Sequence, residues 1–363
     1  MYEQLSANGL NILPIMSACS SKCFFCSNKL NPFPVYTDPP RPLDEIKKAV
    51  LMIGQNPNSM IDLSYARKMT EGEAIQHPNF FEILDIIRKK HPQNKIFFYT
   101  NGVHFTEENI KELSKYSPIN VSLSIHSINS DYWCEISGKN IDDYTRVMSS
   151  LSLLSEYKIK ITPTVVPMPE LVGWDDIDQT IEKLSNYSNR IQIYTPGFTD
   201  NSNEKTKKFM NIDLEELSTV LNILSKKYSV DLSFFGDPNK PINFYPEGML
   251  NMTMDMRYMN VLWMFSEFAY TQANSILNAY ARTTGNNHYT CSVKNYTYGG
   301  NIKCAGLLTV DDFKTSLKEV LPKLPKIDCI MLPGVAFDSF GEDLKSTPYS
   351  EIIDEFDIQT KLG

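Results

Sequence analysis

Several things are scarce in this 363-residue sequence, and each scarcity excludes something. Only 16 glycines are present, too few for a collagen-like or glycine-rich repeat. Seven cysteines are too few for a disulfide-dense secreted scaffold. No run approaches ~18 uninterrupted apolar residues, so no transmembrane helix is expected. The opening stretch, MYEQLSANGLNILPIMSACS, lacks the basic n-region and long apolar core of a signal peptide. Basic charge is not in excess: 35 Lys and Arg against 43 Asp and Glu leave a net charge of −8. That balance argues against broad binding to nucleic acid or an anionic membrane. There is no P-loop, H-E-x-x-H, G-x-S-x-G or Rossmann G-x-G-x-x-G. The five histidines, His77, His91, His104, His126 and His288, are scattered.

What is there suits a large folded α/β protein. Hydrophobic residues make up 42% and aromatics 11%, ample for a core. The first two hundred residues alternate two patterns. Short apolar, β-branched runs predict strands over Leu10–Ile15, Met60–Tyr65, Lys95–Tyr99, Ile119–Ile125, Lys158–Val165 and Arg190–Tyr194. Between them, three- and four-residue apolar spacing predicts helices over Leu43–Ile53, Phe80–Lys90, Glu107–Lys115, Asp142–Tyr157 and Asp175–Asn186. Six strand–helix units in series predict a parallel sheet curved into a partial (β/α)6 TIM-like barrel.

Beyond it, the polar Thr199–Lys208 reads as a loop, Leu214–Tyr228 as a helix and Val230–Phe234 as a short strand. Asp237–Pro246 holds three prolines and reads as a connector, giving a barrel over residues 1–236 and a smaller C-terminal α/β domain over 237–363. In the tail, a Met-rich helical run is expected over Met249–Thr283, strands over Tyr289–Val293 and Ile327–Leu332, and a helix over Val310–Leu321.

The strongest chemical signal is CSSKCFFC, which places Cys19, Cys23 and Cys26 at C-x3-C-x2-C spacing directly after the first predicted strand. The chain reads as cytoplasmic, where thiols stay reduced, so clustered cysteines point to metal before disulfide. Three thiolates within eight residues can hold three irons of a four-iron cube and leave the fourth open. A structural zinc site needs four ligands, and the remaining cysteines, Cys134, Cys291, Cys304 and Cys329, are remote. A zinc or ferredoxin-like site with a distant fourth ligand is the competing reading. The loop between the first strand and helix favours the cube, because barrel active sites gather at the C-terminal ends of strands.

The triplet resembles that of the radical S-adenosylmethionine (SAM) superfamily, and Phe25 matches its aromatic before the last cysteine. The resemblance implies a [4Fe–4S] cluster on Cys19, Cys23 and Cys26, with SAM chelating the fourth iron. It implies reductive cleavage of SAM to a 5′-deoxyadenosyl radical that abstracts hydrogen from a small-molecule or peptide substrate. A reductant such as flavodoxin or ferredoxin would be the partner. Glu71-Gly72-Glu73 resembles the family's Gly-Gly-Glu segment at the SAM amino group, with Glu71 in place of the first glycine. Asn101 with Gly102 matches a Thr-Asn-Gly that lines the SAM pocket. Ser122, Ser124 and His126 alternate onto one strand face. The resemblance puts Ser124 or its neighbour Ser122 near the ribose and methionine groups, with His126 facing the cavity as the catalytic candidate. Thr162 and Thr164 could line the same cavity. The alternative function is an iron–sulfur electron carrier or binding protein that does not cleave SAM.

Looser similarity extends further. VVPMPELVGWDDIDQTIEKL, Pro196–Thr199, Gly299–Phe313 and Cys329–Asp338 are similar to phrases of an uncharacterised radical-SAM group with a C-terminal domain of unknown function. Members often have an N-terminal peptide-binding module, which is not expected here. The wide spacing of Cys291, Cys304 and Cys329 favours small hydrophobes over a second cluster.

Overall fold

The computed structural model describes residues 6–7, 10–26, 31–32, 40–64, 72–234, 236–239, 259–270, 272–273, 277, 285–338 and 340–363. Strands and helices alternate through the first unit: β1 (Ser6–Ala7), β2 (Leu10–Ile12), α1 (Leu43–Met52), β3 (Met60–Asp62), α2 (Phe80–Lys90), β4 (Lys95–Thr100), α3 (Glu107–Ser114), β5 (Ile119–Ser124), α4 (Ser130–Ser137), α5 (Ile141–Glu156), β6 (Lys160–Val165), α6 (Pro169–Ser185), β7 (Gln192–Ile193), α7 (Glu204–Phe209) and α8 (Leu214–Tyr228). The seven strands lie in sequence order, with β1 antiparallel to β2 and the six from β2 to β7 parallel.

Period-two burial divides the sheet into an apolar and a polar face. Ile61, Ile96, Phe98, Val121, Leu123, Ile161 and Ile193 are buried on one face. Phe98 meets Phe80 of α2 at 5.4 Å between ring centroids, so this is the helix-covered side. The register places Asp62, Phe97, Tyr99, Asn120, Ser122, Ser124, Thr162, Thr164 and Gln192 on the other. Tyr99 on β4 lies 6.4 Å from Tyr194, which follows β7. Three strand spacings in a flat sheet would separate them by about 14 Å. The sheet is therefore strongly curved, with the polar face inside the curl, which makes it a partial barrel.

Helix ends follow from local chemistry. Thr106 and Asn109 form a capping box at α3, and Asp213 caps α8. α6 begins at Pro169, earlier than the sequence reading, and kinks at Gly173 (φ 77°). The stretch read as a loop over Thr199–Lys208 contains α7, capped by Asn203, whose carboxamide accepts from Thr206 N. α4 was not anticipated. The expected strand at Val230–Phe234 is reduced to two isolated bridges, Arg190 to Asp231 and Ile193 to Phe234.

The chain divides into two compact units, Met1–Pro196 with Ser202–Phe235, and Gly197–Asn201 with Gly236–Gly363. The second unit contains β8 (Asn260–Ser266), β9 (Asn287–Val293), α9 (Val310–Val320), β10 (Cys329–Leu332), α10 (Ser350–Phe356) and β11 (Gln359–Leu362). Its four strands are all parallel in the order β11-β10-β8-β9. β8 corrects the sequence reading of one long helix over Met249–Thr283. Its alternating side chains fill two apolar clusters: Leu262 and Met264 in one, Val261, Trp263 and Phe265 in the other. A strand buried on both faces is a continuous apolar run, which period alone does not separate from a buried helix. Residues 240–258, with most of the proline-rich connector and the first methionines of that run, lie outside the described residues. Gly299 and Gly300 adopt positive φ, and a Cβ on either would lie 2.1 Å from Asp200 or Phe198. Among the described residues no helix is long and apolar enough to cross a membrane.

Candidate active site

The site grows from the end of β2. The chain continues extended beside β3, with Leu13 N donating to Asp62 O and Ile15 N to Leu63 O, and carries Cys19 past the strand ends. The segment Gly72–Glu73 pairs with this extension: Gly72 N donates to Met16 O at 3.1 Å and Glu73 N to Ala18 O at 2.8 Å. A Cβ on Gly72 would lie 2.5 Å from Met16 O and 2.6 Å from Ser17 C, so close backbone approach demands glycine. Glu71 lies outside the described residues.

Glu73 is 3% exposed. Its Oε2 accepts from Asn101 N at 2.9 Å, while Oε1 has no hydrogen-bond partner among the described residues. Burial pushes its carboxyl up to about 7, although the Asn101 amide, the Thr100 hydroxyl and the Lys139 ammonium pull the other way. Asn101 spans from this carboxylate to the cysteine loop. Its Nδ2 donates to Ser21 Oγ at 3.0 Å and reaches Cys19 Sγ at 3.5 Å, while its Oδ1 accepts from Val103 N.

Cys19 is exposed, and Cys23 and Cys26 are half-buried. Packing around the Cys19 sulfur, and then the charge of Glu73, push its thiol up. Among the described residues no three Cys, His, Asp or Glu side chains converge as ligands of one metal ion. Ligands of a cube each bind a different iron, so they stand further apart than ligands sharing one ion. Three thiols on one loop, beside a buried carboxylate with an unpartnered oxygen, fit a cluster together with a ligand that carries an ammonium group.

β5 supplies the other expected positions. Ser122 is fully buried, and its hydroxyl lies 2.7 Å from Thr164 Oγ1 on β6. Ser124 is half-buried one step nearer the strand end. Thr162 donates to Asn120 Oδ1. His126 Nδ1 accepts from Val166 N at 3.1 Å, and its ring stands edge-on to Phe25 at 5.0 Å. Burial pushes His126 down to about 4, so its imidazole is neutral near pH 7. With Nδ1 accepting, the proton sits on Nε2, and the ring is a donor there. The structure thus brings Phe25 and His126 together and joins Gly72, Glu73, Asn101 and Cys19 through a short hydrogen-bond chain. Ser122 is engaged across the sheet.

Two site neighbours escaped the sequence reading. His104 Nε2 lies 3.1 Å from Ser20 Oγ and also meets the Gln76 amide, and Lys139 Nζ donates to the same Ser20 hydroxyl at 3.2 Å. Lys139 is 119 residues from Ser20, so no local pattern could have revealed it. His77, His91 and His288 have structural partners: Arg41 O, Val50 O and the Trp263 indole.

The family model described as Radical SAM superfamily matches residues 13–184. The antilisterial bacteriocin subtilosin biosynthesis protein AlbA of Bacillus subtilis (strain 168) is 28% identical over 142 residues, 39% of this chain and 29% of that protein. Uncharacterized protein MJ0804 of Methanocaldococcus jannaschii is 23% identical over 216 residues, 58% of this chain and 65% of that one. The crystal structure of Streptococcus suis SuiB superposes with a TM-score of 0.50 at 15% identity, covering 65% of this chain and 52% of that one. The chain spans less than two thirds of each of these proteins. The triplet and the parallel half-barrel fall where the match lies: residues 13–184 are a radical SAM superfamily domain by that family model.

Proposed function

We propose that this chain is a radical SAM enzyme that abstracts hydrogen from a small-molecule or peptide substrate. The observation that carries the reading is Glu73: a carboxylate buried at a strand end, with one oxygen unpartnered, joined through Asn101 to the first cysteine of the triplet. A buried carboxylate is costly unless a cation completes it, and the α-ammonium of SAM is such a cation. An electron carrier has no use for that arrangement.

Cys19, Cys23 and Cys26 would hold a [4Fe–4S] cluster, which would pass one electron from an external reductant to SAM and break its sulfonium C–S bond to methionine and a 5′-deoxyadenosyl radical. Gly72 keeps Glu73 against the cysteine segment. Glu73 binds the ammonium, and Lys139 offers positive charge beside Ser20. Phe25 and His126 form the wall toward β5, with the imidazole neutral near pH 7 and its Nε2–H left to donate to a bound group. Tyr99, Thr162 and Gln192 line the curved face on which a substrate would rest, and Ser124 stands at its mouth. A flavodoxin or ferredoxin in the cytoplasm would provide electrons. AlbA is named for bacteriocin biosynthesis, which adds weight to a peptide substrate.

The test is anaerobic reconstitution with iron and sulfide, followed by dithionite and SAM. The wild type should form 5′-deoxyadenosine, and Cys23→Ala and Glu73→Ala should not. A loaded wild type that forms none would be the carrier instead.

A further inference from the structure

The cysteine loop carries two phenylalanines, and they face different parts of the fold. Cys26 N donates to Cys23 O at 3.2 Å, closing a four-residue turn with Phe24 and Phe25 at its centre. The ring of Phe25 meets His126. The peptide groups of Phe24 cannot be satisfied inside so tight a turn and need partners outside it.

α4 provides one. The last carbonyls of a helix lack intrahelical donors. Here Ile136 O accepts from Phe24 N at 3.3 Å, and Ser137 O accepts from Lys22 N at 2.9 Å. α7 provides the other: Thr206, fully buried, donates from Oγ1 to Phe24 O at 3.0 Å. Asn203 Oδ1, which accepts from Thr206 N, lies 3.1 Å from the same hydroxyl, so the single hydroxyl proton is shared between two acceptors, of which Phe24 O is the nearer. α7 also covers the Phe24 ring. Lys205 Nζ stands 4.8 Å from its centroid and pairs with Glu135 on α4 at 2.8 Å, and the Phe209 ring lies at 6.2 Å.

We propose that Thr206, supported by Lys205, is a positioning residue that clamps the Cys23–Cys26 turn in ligating shape before the metal arrives. The proposal rests on the cluster reading above. α7 and α4 hold the turn from its carbonyl and amide sides, so two of the three thiols are pre-arranged by 182-residue-distant chain. Loosening the carbonyl side removes the donor to Phe24 O and frees the turn to open. The cluster should then be lost faster, while the barrel, whose core lies on the opposite face of the sheet, is unaffected.

The experiment uses the full chain, reconstituted anaerobically, as wild type, Thr206→Val, Thr206→Ser and Lys205→Gln. Readouts are iron per chain, the rate of visible bleaching under EDTA, the electron paramagnetic resonance spectrum of the reduced cluster and the thermal midpoint of the iron-free protein. One hydrogen bond to a neutral carbonyl corresponds to a roughly 2- to 10-fold effect. Thr206→Val, close in shape and lacking the hydroxyl, should therefore bleach that much faster, with a broadened spectrum and a thermal midpoint lowered by no more than the about 2–4 °C that one hydrogen bond accounts for. Thr206→Ser should match the wild type. Lys205→Gln should bleach about twofold faster, and it reads the same clamp if Thr206→Val does not fold. Equal bleaching of Thr206→Val and wild type would overturn the clamp alone. So would equal loss in the Val and Ser variants with midpoints lowered by more than about 4 °C. A wild type that takes up no iron would overturn both the clamp and the function.

Discussion

Replacing Glu73 by glutamine should make the empty protein more stable and the enzyme inactive. The carboxyl ordinarily titrates at 4.5 and is pushed up to about 7 by burial. Between those values the folded state keeps a proton that the unfolded chain has released. Stability therefore falls as pH rises from 4.5 to about 7 and stays lowered above it. At about 1.4 kcal/mol per pKa step, the cost at pH 8 is about 3 kcal/mol. Glutamine is neutral at every pH and keeps an acceptor for Asn101 N–H. Like the protonated acid, it places a donor at the unpartnered Oε1 position. Urea unfolding of the iron-free, SAM-free chain should give Glu73→Gln an advantage of about 3 kcal/mol at pH 8, shrinking to below about 1 kcal/mol at pH 5. SAM affinity should drop at least 10-fold, since the ammonium loses its counter-charge. Equal or lower stability of the variant at pH 8 would show that Glu73 is not a strained, buried carboxylate, and the argument from it would fail.

Gly72→Ala puts a methyl group against the backbone of Met16 and Ser17, where no flexible side chain can yield. It should cost about 1–3 kcal/mol in denaturant unfolding and weaken SAM binding along with it. His126, pushed down to about 4, contributes stability that is complete above its ordinary 6.5 and is lost as pH falls toward 4. Its imidazole resonances should not titrate between pH 5.5 and 8, and a midpoint near 6.5 would contradict its burial and its bond from Val166. Asn101→Ala removes the Nδ2 donor beside Cys19 Sγ and should lower the cluster's reduction potential measured by dye-mediated titration. An unchanged potential would mean that the 3.5 Å contact has no influence on the cluster.

The scaffold was legible because its signals are local. β4 and β5 are short apolar runs bounded by turns, and α2 repeats its apolar residues at helical spacing, so both patterns read directly from the sequence. The triplet is equally local, three thiols in eight residues. β8 misled because NVLWMFS has side chains buried on both faces and sits among methionines that suit either structure. α7 misled because its sequence, EKTKKF, is polar, and its one buried threonine binds a loop far away in the chain. Lys139 and His104 show the same limit. Each reaches Ser20 through the fold, and neither stands in a pattern that marks it. The physical requirement for Gly72 is equally invisible to local pattern, since it arises from close approach of the Met16–Ala18 backbone and Gly72 has no positive φ.

The most direct measurement of the account is the electron paramagnetic and nuclear double resonance of the reduced, reconstituted chain with SAM carrying 15N at its amino group. If three thiolates leave one iron open and Glu73 holds the amino end of SAM beside it, taking the ammonium proton so that the nitrogen has a free lone pair, that nitrogen would couple to the cluster spin in the wild type. The coupling should weaken or vanish in Glu73→Gln. An iron-loaded wild type whose spectrum is indifferent to labelled SAM would contradict the account at its centre.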